Sequence, residues 1–178
     1  MPLPPGSTIG IVGGGQLGRM LAIAAAQIGY RTHIFAPEAS AVAKAVAQNS
    51  TTAAYDDIMA LNGFAQAVDI ITFEFENVPV DTIRHLAEHR PVFPRANALG
   101  VAQDRLVEKA FANDCGVPVG AFAEIHSVDA LVTAIAQVGC PAILKTARDG
   151  YDGKGQVAIA SVRDAASAFA QSTWAPLT

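Results

Sequence analysis

Residues 8–18 read Thr8-Ile9-Gly10-Ile11-Val12-Gly13-Gly14-Gly15-Gln16-Leu17-Gly18. A β-rich run that stops at three glycines and leads straight into an alanine-rich stretch predicts a buried strand, a tight turn and a helix. The last six residues satisfy G-x-G-x-x-G, in which glycines let a phosphate come close to backbone N–H groups at the positive end of a helix. A dinucleotide site would also need an acid at the end of the second strand. Phe35 is instead followed by Ala36 and Pro37, and Glu38 is the nearest acid. The turn therefore admits three readings: a dinucleotide site, a generic phosphate site, or a structural turn only.

Working outward, the pattern predicts a helix over 16–28 closed by Gly29, a strand over 31–35, an alanine-rich helix over 39–48 and a weaker strand over 51–54. Asp56 is placed to cap a helix running to 67, followed by a strand over 69–73, a helix over 80–89 and a short strand at Val92-Phe93. Such β/α units join economically only as parallel strands with right-handed crossovers, so residues 1–102 are expected to form an α/β domain with a doubly wound parallel sheet. After Pro94 the rhythm changes. Helices are predicted over 97–102 and 104–115, a strand over 119–125, and a helix capped by Ser127. Strands over 141–146 and 155–160 then flank a loop, and a Ser161 to Asp164 capping box opens a last helix. Residues 103–178 thus read as a smaller α+β unit with few strands for a core of its own.

The 178 residues carry 12 Lys+Arg against 16 Asp+Glu, a net charge of −4 with no basic run, which disfavours nucleic acid and anionic membrane as partners. With 51% hydrophobic and 16% charged residues the chain is not a disordered one. No segment approaches the about 18 unbroken apolar residues of a membrane span, and the N-terminus lacks a secretory pattern. Cys115 and Cys140 stand in no metal or disulfide spacing. A cytoplasmic protein is expected.

Three further stretches carry chemistry. Glu74 and Glu76 follow the fourth predicted strand in Phe73-Glu74-Phe75-Glu76-Asn77-Val78, at the carboxyl edge where open α/β sheets bind ligands; alternation would place both acids on one side and both phenylalanines on the other. The alternative is a solvated rim. His85-Leu86-Ala87-Glu88-His89 matches H-x-x-E-H, but on a short crossover helix without an evident third ligand, so a solvated face is expected. Lys145 ends an apolar strand and precedes Gly150-Tyr151-Asp152-Gly153-Lys154-Gly155-Gln156. Glycines would let this loop fold over a polyphosphate while Lys145 and Lys154 neutralise its charge; the alternative is an exposed hairpin.

Four motifs occur together and in order: Gly13-Gly14-Gly15-Gln16-Leu17-Gly18-Arg19-Met20, Phe73 to Val78, Gln103-Asp104-Arg105, and Gly150 to Gln156. In this the chain resembles the N5-carboxyaminoimidazole ribonucleotide synthetases, ATP-grasp ligases of purine biosynthesis. The resemblance implies a Rossmann-like pre-ATP-grasp domain over 1–102 and the first part of an ATP-grasp domain over 103–178. It implies ATP-dependent carboxylation of 5-aminoimidazole ribonucleotide by bicarbonate, with ADP and phosphate released. Gln16, Leu17 and Gly18 would bind the ribonucleotide's phosphate, and Glu76 with Glu74 the aminoimidazole end. Arg105, Lys145 and Gly150 to Gln156 would hold ATP, with Tyr151 and Asp152 also facing the second substrate. The family is expected to form a homodimer and to use Mg2+ held by residues beyond Thr178, none in this chain. The 178 residues therefore read as an N-terminal piece, expected to be inactive alone. Two rivals remain: a non-catalytic module for a phosphate ligand, and a sister ATP-grasp enzyme acting on another amine such as glycinamide ribonucleotide.

Overall fold

The computed structural model describes residues 3–148, 150 and 155–172. They pack as two compact units, 1–100 and 101–178.

Unit 1 runs β1 (Thr8–Val12), α1 (Gln16–Gln27), β2 (Arg31–Phe35), β3 (Asn49–Thr51), α2 (Ile58–Gln66), β4 (Ile70–Phe73), α3 (Val80–His89) and α4 (Ala96–Ala102), the last crossing into unit 2. The sheet is wholly parallel, in the order β3-β2-β1-β4. After β1 the chain moves outward through β2 and β3, then returns to the other side of β1. That reversal makes the gap between the carboxyl ends of β1 and β4 the switch point of the sheet, the crevice where such sheets take ligands.

Alternation along the strands feeds two cores. Ile11 and Ile34 meet Ala22 of α1, with Ala36 and Ala43, on one face. Val12, Phe35 and Ile71 meet Leu61 and Phe64 of α2 and Ile83 and Leu86 of α3 on the other. Small residues let the helices approach: α1 buries Gly18, Ala22 and Ala25, and a Cβ on Gly10 would sit 2.7 Å from the Phe64 ring. His33 is buried beside Phe64 (ring centroids 5.1 Å apart, 87° between planes) and meets the Thr51 hydroxyl through Nε2 at 2.8 Å. Its Nδ1 has no partner.

Unit 2 holds α5 (Arg105–Asp114), α6 (Val128–Val138), β5 (Ala142–Lys145), β6 (Gln156–Ile159) and α7 (Ala165–Gln171). β5 and β6 pair antiparallel, and Leu144 and Ile159 pack with Leu131, Ala134 and Ile135 of α6 and Ala165 and Ala168 of α7. Asp104 caps α5 through the N–H groups of Leu106 and Val107, and Ser127 caps α6 through that of Ala130. The Ser161–Asp164 capping box forms, opening on a short 3₁₀ turn before α7. α5 buries no residue, and its Val107 and Phe111 are exposed.

Several expectations are corrected. The alanine-rich segment 39–48 contributes only a 3₁₀ turn at Val42–Ala45, because Lys44 is drawn inward. Its Nζ donates to Ala36 O (3.0 Å), Glu38 O (2.6 Å) and Thr52 Oγ1 (2.7 Å), a geometry a continuous α-helix would not allow. β3 lies two residues earlier than read. Asp57, not Asp56, caps α2 by accepting from Ala60 N at 3.0 Å. Asp69 stands outside β4 and accepts from Thr8 N at 2.8 Å. Val92 makes only an isolated parallel bridge to Ile71. Residues 119–125 form no strand: neither β5 nor β6 pairs with them, and Ile125 instead enters the core with Ala123 packed against it.

Candidate functional site

The glycine turn lies at the switch point. Gly13 N–H donates to Phe35 O (2.9 Å) and its φ of +107° is one that a residue with a Cβ rarely adopts. Gly14 O accepts from Ala43 N at 3.0 Å, which fixes the turn to the 3₁₀ segment. Gly15 is then the N-cap of α1 and has no side chain to occupy the helix N-terminus. Gln16 and Leu17, the first two helical residues, are exposed, whereas Gly18 is buried. Their N–H groups belong to the first turn of a helix, which has no intrahelical acceptors for them.

Glu74 faces this turn from the end of β4. Its N–H donates to Val12 O (3.1 Å), continuing the β1–β4 ladder by one bond. Its Oε1 accepts from Gly15 N–H at 2.9 Å, across 59 residues of sequence. The predicted side-by-side arrangement of acids and phenylalanines does not hold past Phe73, because the strand stops there and the chain turns. Glu76 and Phe75 are both exposed, whereas Glu74 is half-buried. Tyr55 was not singled out in the sequence. Burial, then the Glu38 and Glu74 carboxylates, push its phenol up to about 12, so it stays a protonated donor near these acids. Lys44 was likewise missed; one cation in an alanine-rich segment gives no sign that it ties the β2 loop to Thr52.

Unit 2 gathers its own polar set at one end of the β5–β6 hairpin. Lys145 is exposed at the end of β5 and pairs in register with Gln156. Thr146 N–H donates to Gly155 O (2.9 Å), and Gly155, at φ +68°, lies so close that a Cβ would meet Thr146 Oγ1 at 2.6 Å. Arg105 opens α5 against the same loop: its N–H donates to Ala147 O (3.0 Å) and its Nη2 to Gly150 O (3.3 Å). Arg148 Nε donates to Asp104 Oδ2 at 3.1 Å. The structure therefore brings together Arg105, Lys145, Gly150, Gly155 and Gln156; Tyr151, Asp152, Gly153 and Lys154 lie outside the described residues.

The H-x-x-E-H segment is less open than expected. His85 is half-buried, its Nε2 2.8 Å from Asn62 Oδ1, and its ring lies 5.0 Å from that of His89. One potential ligand atom from each of His85, Glu88 and His89 falls within 4.8 Å of the others. Among the described residues, no helix is long and apolar enough to cross a membrane, and Cys115 and Cys140 are free and exposed.

A parallel sheet whose switch point joins a glycine turn to a facing carboxylate, followed by a unit with a glycine-rich hairpin behind a basic strand end, defines an α/β protein of the pre-ATP-grasp and ATP-grasp class. The chain belongs to the ribonucleotide synthetase preATP-grasp domain family, whose model matches residues 6–103; an ATP-grasp domain model matches residues 110–175. It is 49% identical over 176 residues to an N5-carboxyaminoimidazole ribonucleotide synthase of Brucella melitensis, covering 98% of this chain and 49% of that protein. Identity to a bifunctional purine synthesis protein purC/E of Dictyostelium discoideum is 47%, over 96% of this chain and 17% of that one. Among solved structures, N5-carboxyaminoimidazole synthetase from Staphylococcus aureus complexed with ADP superposes with a TM-score of 0.88 at 40% identity, over 94% of this chain and 45% of that chain. An ADP complex of purK, N5-carboxyaminoimidazole ribonucleotide synthetase, gives 0.88 at 38% identity, over 93% and 44%. The chain spans about half the length of the synthases it matches.

Proposed function

We propose that this chain carries the ribonucleotide-binding part and a portion of the ATP-binding part of an enzyme that carboxylates 5-aminoimidazole ribonucleotide with bicarbonate and ATP, in purine biosynthesis. The observation that carries the reading is the Gly15–Glu74 contact, which puts the turn and the acidic loop of the family motifs at one sheet edge. Gln16, Leu17 and Gly18 offer N–H groups to the substrate phosphate at the α1 N-terminus. Glu74 and Glu76 accept from the aminoimidazole end. In unit 2, Lys145, Arg105 and the segment 150–156, including Tyr151, Asp152, Gly153 and Lys154, hold the ATP phosphates.

In the reaction a bicarbonate oxygen takes the γ-phosphoryl group of ATP, giving carboxyphosphate and ADP. The exocyclic amine nitrogen then bonds to the carboxyl carbon, phosphate leaves, and the nitrogen loses a proton. Exclusion of water protects the mixed anhydride. Magnesium on the nucleotide phosphates would supply charge neutralisation. Among the described residues of unit 2, Asp104 and Asp164 do not fit it, since their carboxylates are spent on helix caps. A homodimer fits the exposed Leu17 and Leu21 of α1 and Ile28 just after it, and a cytoplasmic setting fits the two free, exposed cysteines.

The test is calorimetric titration of the protein with 5-aminoimidazole ribonucleotide, and with glycinamide ribonucleotide in parallel. The reading requires saturable binding of the imidazole compound, weakened by Glu76→Gln. Preference for glycinamide ribonucleotide would move the chain to the sister activity, and binding of neither would remove the proposal.

A further inference from the structure

The glycines of a G-x-G-x-x-G turn ordinarily leave room for a pyrophosphate to reach the backbone. Here much of that room belongs to Glu74. A Cβ on Gly13 would meet Glu74 Oε1 at 3.0 Å and Cγ at 3.1 Å; one on Gly15 would meet Oε1 at 3.1 Å; one on Gly18 would meet Gly13 O at 3.1 Å and Glu74 Cγ at 3.2 Å. At Gly15 the three nearest heavy atoms to that position all belong to Glu74. The same carboxylate takes the Gly15 N–H. A phosphate seated at Gly15 would have to displace this bond and face a like charge on the oxygen it displaced. The N–H groups of Gln16 and Leu17, on exposed residues one and two positions further along α1, remain for an anion.

We propose that Glu74 is the specificity-determining residue of this turn: it occupies the Gly15 amide so that the α1 N-terminus accepts a single phosphate group at Gln16 and Leu17 and refuses the second phosphate of a dinucleotide. The proposal deepens, and rests on, the ribonucleotide reading given above. It accounts for a turn that satisfies the dinucleotide pattern in a chain without the ribose-binding acid after β2. There Ala36 O and Glu38 O are instead held by Lys44.

The experiment follows the backbone amides of Gly15, Gln16 and Leu17 by NMR while inorganic phosphate and then inorganic pyrophosphate are titrated into the wild-type chain, Glu74→Ala and Glu74→Gln. In the wild type, both anions move the Gln16 and Leu17 amides with affinities within about threefold of each other, and the Gly15 amide stays still. In Glu74→Ala the Gly15 amide moves, and pyrophosphate, read at these amides, binds at least tenfold more tightly than in the wild type. Glu74→Gln keeps the acceptor oxygen without the charge and falls between; it also serves if the alanine variant does not fold. A wild-type Gly15 amide that responds to pyrophosphate overturns the proposal. So does an unchanged pyrophosphate affinity in a folded Glu74 variant. If the gain at Gly15 appears but 5-aminoimidazole ribonucleotide does not bind, the exclusion by Glu74 stands and the ribonucleotide reading alone is lost.

Discussion

Replacing Gly14 by alanine tests whether the turn is held by close packing rather than by backbone flexibility. The added Cβ would lie 2.5 Å from the Ala41 Cβ and 2.8 Å from the Ala36 Cβ. Ordinary carbon contacts sit at about 3.5–4.0 Å, so both are short by roughly 1 Å. Neither neighbour is the free end of a long side chain. Ala36 is wholly buried with its carbonyl held by Lys44, and the Ala41 segment is tied to Gly14 O through Ala43 N–H. The backbone must move, and overpacking of this kind costs about 1–3 kcal/mol. For a unit of 100 residues each kcal/mol lowers the melting temperature by about 4–8 °C, so Gly14→Ala is expected to lose about 5–20 °C. The assay is thermal unfolding by circular dichroism, with hydrogen exchange of the β1 amides assigning the loss to unit 1. Ala41→Gly removes the nearer methyl, so the double variant should lose less than the two single losses added. A Gly14→Ala protein that melts with the wild type, or a pair whose losses simply add, would refute the packing argument.

Lys145→Met should weaken ADP binding by about tenfold or more, about 1.4 kcal/mol, while stability stays within about 0.5 kcal/mol of wild type because the side chain is exposed; calorimetry and a denaturant curve read the two effects apart, and unchanged ADP affinity would remove Lys145 from the phosphate site. Burial holds the His33 imidazole below its ordinary value of 6.5, so the native state favours the neutral ring. The unfolded chain takes up the proton first. Stability is therefore full above about pH 6.5 and is lost as pH falls through the depressed native value. Urea midpoints between about pH 7 and 5 should drop less for His33→Gln than for wild type, and equal slopes would place the titration elsewhere.

Local chemistry made much of the fold legible. β1, the turn and α1 follow from a β-branched run, glycines and alanines in immediate succession, and α6 follows from Ser127 and its apolar spacing. Where the reading failed, a distant contact had overruled a local preference. The alanines of 39–48 favour a helix, but three oxygen acceptors for one ammonium, two of them at the end of β2, take Lys44 elsewhere. Residues 119–125 have strand composition but no strand beside them. The candidate site was legible in part: its residues were named from their motifs, but the Gly15–Glu74 contact between two of those motifs was not. Whether Gly15 faces an open crevice or a carboxylate depends on a residue 59 positions away, which no window of sequence contains.

That bond also constrains how the turn can diverge. Gly13 would remain glycine for its positive φ alone, and Gly18 is also pressed by the Gly13 carbonyl, but at Gly15 the near atoms all belong to Glu74. In descendants of this chain a side chain at position 15 therefore requires the Glu74 carboxylate to shift or shorten, so that changes at the two positions are coupled. The route between the two states is easiest when position 74 changes first, and a duplicated copy, released from holding the original substrate, would be the one able to drift towards a new ligand.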